Sequence, residues 1–223
     1  MNKGKRLTGI IIFGLLGAII LFILVVLINL IISGQYESRV TKGVSIGNYG
    51  VTKAALLVID IQEATTGQYS TDLFFRKNSD ELTGNINRVI DSFNVWNASI
   101  IHIRSEISNP LINLINSSYA KGSPSAQFDK RITTASGVEV IKRAKDSFKN
   151  TDLDSILIRN KINELYIVGL DAAECINATV EAAQNRNYSV KLIDEAILSK
   201  SGEMKDSMIT VFKGRGVKVL RID

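Results

Sequence analysis

AALLVIDIQ, residues 54–62, is the stretch on which the fold turns. Its first six residues are wholly apolar, and Asp60 follows at once. A half-buried strand alternates apolar and polar residues. A short run with no alternation fits a strand buried on both faces, as in a parallel sheet sandwiched by helices. Five further short runs follow: 99–103 (SIIHI), 137–141 (GVEVI), 165–168 (LYIV), 189–193 (SVKLI) and 217–222. Between them lie helical patterns. Ile86, Val89, Ile90, Phe93 and Trp96 recur at helical spacing, with Asp80 and Glu81 near the expected start. Thr151 precedes Leu153, Ile156 and Leu157. A helix is expected from Cys175 to about Arg186, and another over 203–212. Strands alternating with helices predict an α/β protein with a six-stranded parallel sheet in three α/β/α layers.

The part before residue 54 reads differently. Ile10 to Ile32 is 23 residues with no charge. About 20 apolar residues span a bilayer as a helix, whereas a signal peptide's apolar region is about 7–15. A retained anchor is the main reading; a cleaved signal and a buried core helix are the alternatives. Lys3, Lys5 and Arg6 precede the run, so the N-terminus is expected in the cytoplasm and the rest outside. The expected organisation is a short cytoplasmic end at 1–6, a transmembrane anchor at 7–32, a linker at 33–51 and one domain at 52–223. A homo-oligomer is compatible with this organisation.

Setting aside those three cations leaves 24 basic and 22 acidic residues, a net +2 against the chain's +5. That is no nucleic-acid footprint. The single cysteine excludes an internal disulfide framework. The single histidine, His102, excludes a histidine-rich zinc site. Dinucleotide, P-loop and nucleophile-elbow motifs are absent.

In parallel sheets ligands bind beyond the carboxyl ends of the strands. Three reactive groups fall there. Asp60 follows the first strand, Lys142 the third, and Cys175 the fourth after a short turn. Each also has a plain reading. Cys175 could be a small buried hydrophobe or a thiol activated at a helix start. Asp60 could cap a turn, and Lys142 with Arg143 and Lys145 could be a solvated basic face. His102, inside an apolar strand, reads as a core histidine, and Glu174 as a solvated acid at a helix start. Ser105 and Glu106 could reach the rim.

ALLVIDIQ, VIKRAKDSF with NTDLDSIL, and VGLDAAECINATVEAA with NYSVKLIDEA resemble the isochorismatase-like cysteine hydrolases of the isochorismatase/nicotinamidase superfamily. The resemblance runs in order from about Lys53 to Arg221. It implies an α/β/α fold and an Asp-Lys-Cys triad matching Asp60, Lys142 and Cys175. Lys142 stands six residues before Phe148, with Lys145 as the alternative because the usual S-A-F is reduced to S-F. It implies a cis peptide between Leu170 and Asp171, and an oxyanion hole from the backbone N–H groups of Asp171 and Cys175. Substrate-pocket candidates are Gln62, Phe148, Tyr69, Phe74 and Tyr119, with Phe75 beside them. The implied activity is cleavage of a C–N bond in a small amide-like substrate through a thioester, without a cofactor. Nicotinamidases carry an aspartate–histidine metal cluster after the second strand; IIHIRSEIS lacks it, so no metal is implied. Isochorismatases proper lack the cysteine. A non-catalytic binding protein and a hydrolase with a bystander cysteine are the alternatives. On the triad reading, iodoacetamide labelling of Cys175 is expected to slow in Asp60→Asn.

Overall fold

The computed structural model describes residues 3–222. Six strands form one parallel sheet: β1 (Ala54–Ile59), β2 (Ser99–Ser105), β3 (Val138–Lys142), β4 (Glu164–Gly169), β5 (Ser189–Ile197) and β6 (Lys218–Leu220). Their order across the sheet is β3-β2-β1-β4-β5-β6. The chain moves outward from β1 in one direction and then returns to β4 on its other side. The order therefore reverses between β1 and β4, and a cleft opens there at the carboxyl ends.

Both faces of β1 are buried, which explains its unbroken apolar run. Leu56 and Val58 pack with Leu82, Ile86, Ile90 and Phe93 of α2 (Leu73–Val95). Ala55, Leu57 and Ile59 share the other core with residues of α4 (Leu153–Arg159), α5 (Asn177–Asn185) and α6 (Gly202–Gly214). Burying one such aliphatic side chain stabilises the fold by roughly 1.5–3 kcal/mol, so these two layers carry the domain.

The elements differ from expectation mainly at their ends. α2 starts at Leu73, where Asp72 accepts from the backbone N–H groups of Phe74 and Phe75, rather than near Asp80. Trp96 lies just past α2 and is exposed. β2 and β3 each reach further than the apolar runs, to Ser105 and Lys142, which pair in register. Thr151 takes the Leu153 N–H ahead of α4. The expected helix at Cys175 begins instead as a π-helical turn, Ala172–Ile176, before α5. A short apolar helix, α3 (Pro110–Ile115), lies in a segment with no clear pattern.

The N-terminal helix α1 runs Lys3–Ser38, past the expected end at residue 32. Within Ile10–Ser38 an 18-residue window has a mean hydropathy of 3.4, and none of that window is buried. Length and composition permit a membrane span; a signal sequence would pass the same test. The side chains of Lys3, Lys5 and Arg6 lie outside the described residues, as do Met1 and Asn2 of the expected 1–6 end.

The expected linker at 33–51 is a packed strap. The Thr41 N–H and hydroxyl both donate to Asp146, at 2.8 and 2.7 Å. Arg186 donates to the Thr41 hydroxyl and pairs with Asp154. Val40 and Ile46 pack on the core. Gly- and Ser-bearing composition concealed this, because the strap is held by side chains distant in sequence.

Gly169 holds the end of β4 against β1. Its φ is +119°, and a Cβ there would lie 2.1 Å from the Ile59 carbonyl oxygen. No side chain fits at that separation. The Leu170 N–H then donates to the same Ile59 carbonyl at 3.0 Å. The two strand ends that carry Asp60 and Cys175 are thus joined directly.

Candidate active site

Asp60 leaves β1 in the left-handed region, φ 56°, a conformation aspartate tolerates better than most residues. Its N–H donates to the Ile103 carbonyl of β2 at 2.8 Å, and its own carbonyl accepts from the Thr65 hydroxyl at 2.6 Å. The carboxylate is held toward the cleft on a turn fixed at both ends.

Lys142 ends β3 and is only 1% exposed. Its ammonium lies 2.8 Å from Asp60 Oδ2. It also donates to Ser105 Oγ at 2.9 Å, to Cys175 Sγ at 3.1 Å and to the Ala144 carbonyl at 3.3 Å. Ser105 in turn donates to Asp60 Oδ1 at 2.9 Å. Carboxylate, ammonium, hydroxyl and thiol therefore form one closed cluster. A buried ammonium is costly unless paired, and here every donor has an acceptor. Burial works against the charge of Lys142. The Asp60 charge and the hydrogen bonds to Asp60 and Cys175 outweigh it and hold the ammonium above its ordinary value.

Cys175 sits in the π-helical turn, partly buried. Its thiol is pushed up to about 12, first by burial and then by the Asp60 charge, against the pull of Lys142. This corrects the expectation of a thiolate favoured at a helix start. A proton passed from Cys175 to Asp60 would remove the anion that disfavours the thiolate and leave Lys142 beside the sulfur.

A cavity of about 390 Å³ opens over the cluster. Asp60, Ser105, Lys142, Cys175, Leu170 and Asp171 form its reactive floor, and Phe75 and Tyr119 are among its walls. The Leu170–Asp171 peptide is cis. The Asp171 carboxylate is occupied by the Ala173 N–H and the Ser199 hydroxyl, at 2.9 and 2.5 Å. Burial, then Asp60 and Cys175, keep the Tyr119 hydroxyl protonated well above its ordinary value.

Four of the expected pocket residues do not line this cavity. Gln62 is buried and clamps the neighbouring chain: it accepts from Ser105 N–H and donates to the Ser105 and Ala126 carbonyls. Phe148 belongs to the core, with the Arg186 guanidinium 4.4 Å from its ring centre. Tyr69 is 45% exposed on the outer surface. Phe74 packs on the core layer under α2.

Lys145, the alternative lysine, lines the rim and pairs with Glu174, so Glu174 is not merely solvated. His102 is buried, its Nε2 2.9 Å from the Ser136 carbonyl, and does not line the cavity. Ser105, expected within reach of the rim, bridges Asp60 and Lys142. Glu37, assigned to a linker, lines the cavity from the end of α1. Among the described residues no group of three or more His, Cys, Asp or Glu side chains could hold a metal ion.

Fold and cluster together define a parallel α/β/α protein of the isochorismatase-like hydrolase class. The chain belongs to the isochorismatase family: the isochorismatase domain matches residues 54–223. A secreted isochorismatase effector of Verticillium dahliae is 24% identical over 162 residues, covering 71% of this chain and 80% of the effector. The crystal structure of an isochorismatase family protein from Desulfovibrio vulgaris superposes with a TM-score of 0.68 at 16% identity, over 77% of this chain and 95% of that one. The N-carbamoylsarcosine amidase of Thermoplasma acidophilum superposes at 0.64 with 25% identity, over 76% and 96%. The family thus includes amidase relatives of this chain.

Proposed function

We propose that the protein is a membrane-anchored cysteine hydrolase that cleaves a C–N bond in a small amide. The observation that carries this reading is the Lys142 ammonium, which contacts both Asp60 Oδ2 (2.8 Å) and Cys175 Sγ (3.1 Å) at the floor of the cavity. Asp60 takes the thiol proton as the sulfur attacks the substrate carbonyl. Lys142 and Ser105 hold the carboxylate in position, and Lys142 stabilises the sulfur as it gains charge. The backbone N–H groups of Asp171 and Cys175 receive the oxyanion, each donor contributing about 3 kcal/mol in comparable sites. Asp60 returns its proton to the leaving nitrogen, the C–N bond breaks, and water attacks the thioester to free the acid and the thiol. The amidase among the relatives supports the substrate class.

The test is a screen of small amides and carbamoyl compounds with the detergent-solubilised full chain, read as ammonia or amine release. At least one is expected to turn over, and iodoacetamide pretreatment is expected to stop it. Turnover that survives full alkylation of Cys175 would refute the mechanism.

On this reading α1 is retained as a single span, with the N-terminus in the cytoplasm and the domain outside. Protease added to intact cells is then expected to digest residues 39–222. Protection until lysis would reverse the orientation.

A further inference from the structure

α3 is a helix without a core to cover. It buries none of its residues, and Leu114 and Ile115 are 73% and 62% exposed. Two neighbouring large aliphatic side chains exposed to that degree are a liability in water. The helix is nevertheless held at a definite place. Asn109 caps it through the Leu111 N–H, and the same side chain donates to Asn29 Oδ1 at 2.8 Å and Ser33 Oγ at 3.0 Å on α1. Residues 107–120 around it contain no charge; the nearest are Glu106 and Lys121.

The level of that attachment matters. At 1.5 Å per residue, roughly 30 Å of helix separates Ile10 from Asn29, which is the thickness of a bilayer's hydrocarbon core. Asn29 and Ser33, the polar residues that α3 grips, then fall at the far edge of that core. We propose that α3 lies in the interface of the bilayer beside α1, with Leu114 and Ile115 inserted among the upper acyl chains. The surrounding Asn113, Asn116, Ser117 and Ser118 are uncharged polar residues suited to the headgroup layer. Because Glu37 of α1 lines the Cys175 cavity, this seats that cavity beside the membrane surface. The inference rests on the reading of α1 as an anchor.

The native chain supplies the control. Its single tryptophan, Trp96, follows α2 and precedes the amino end of β2, opposite the rim of the cavity. Full-length chain is reconstituted in phosphatidylcholine vesicles as native protein and as Leu114→Trp in a Trp96→Phe background, with Ile115→Trp as a second probe. Lipids brominated near the top of the acyl chain are expected to quench most of the emission from positions 114 and 115, and aqueous iodide little of it. Trp96 of the native chain is expected to show the reverse. Quenching at 114 and 115 by iodide alone would show a solvent-facing helix. Quenching by neither would show that another protein surface covers it. Either result overturns the inference. Release of the native chain from vesicles by alkaline carbonate would remove the anchor and this inference together. A retained chain with lipid-insensitive probes would remove only this one.

Discussion

Cys175→Ala is expected to lower amide turnover by about 10³-fold or more, to background, without unfolding the protein. The size follows from the role: removing a covalent nucleophile leaves only binding and oxyanion stabilisation, and comparable deletions in other hydrolases cost more than this. The structural cost is small. The thiol is partly buried, and its loss removes one acceptor from Lys142, which keeps Asp60, Ser105 and the Ala144 carbonyl. Steady-state turnover measured beside thermal unfolding separates the two effects. Retained activity in a folded Cys175→Ala chain would make the cysteine a bystander.

Asp60→Asn is expected to separate two properties that a simple activated thiol would keep together. Turnover falls by about 10²–10⁴, the usual contribution of a positioned general base. Alkylation of Cys175 by iodoacetamide, in contrast, is expected to quicken near pH 8. The sign follows from the site. After burial, the Asp60 charge is the main influence holding the thiol up to about 12, while Lys142 pulls it down. Neutralising Asp60 removes the first influence and leaves the second. The thiol's folded value falls, and the rise of labelling with pH moves to lower pH. Each tenfold gain in thiolate yields only about threefold in rate, because the less basic sulfur is a weaker nucleophile. A faster rate at a given pH is therefore expected. Sequence alone led to the opposite expectation, slower labelling, because it placed the carboxylate beside the thiol only as a base. The same substitution leaves a buried ammonium without its main partner, so a stability loss of about 3–5 kcal/mol is expected as well. A pH series of labelling rates checks the shift; unchanged or slower labelling would mean that Asp60 does not suppress the thiolate.

The layers of this fold were legible because a strand buried on both faces has to be apolar throughout. AALLVI and LYIV could be read on sight. Strand ends were less visible, since Ser105 and Lys142 are polar residues whose burial depends on partners elsewhere. KRAK looks like a basic surface; only the pairing of Lys142 with Asp60, far away in sequence, takes its first lysine into the interior. Resemblance placed the three groups in order, and the β1–β4 junction at Gly169 explains why Asp60 and Cys175 meet. The pocket was legible only in part. Aromatic residues such as Phe148 and Tyr69 carry no mark that distinguishes core, wall and surface. The strap at 39–46 and Glu37 were hidden for a similar reason: Thr41 and Glu37 gain their meaning from Asp146 and the cavity, not from their neighbours.

The central claim is a covalent acyl group on Cys175 formed at the expense of a C–N bond. It is tested most directly by rapid acid quenching of the full chain during turnover of an active amide, followed by intact-protein and peptide mass spectrometry. A mass gain equal to the substrate's acyl group, mapped to the peptide that holds Cys175 and removed by hydroxylamine, is the predicted result. Turnover of the same amide with no adduct on that peptide, and an undiminished rate in Cys175→Ala, would contradict it.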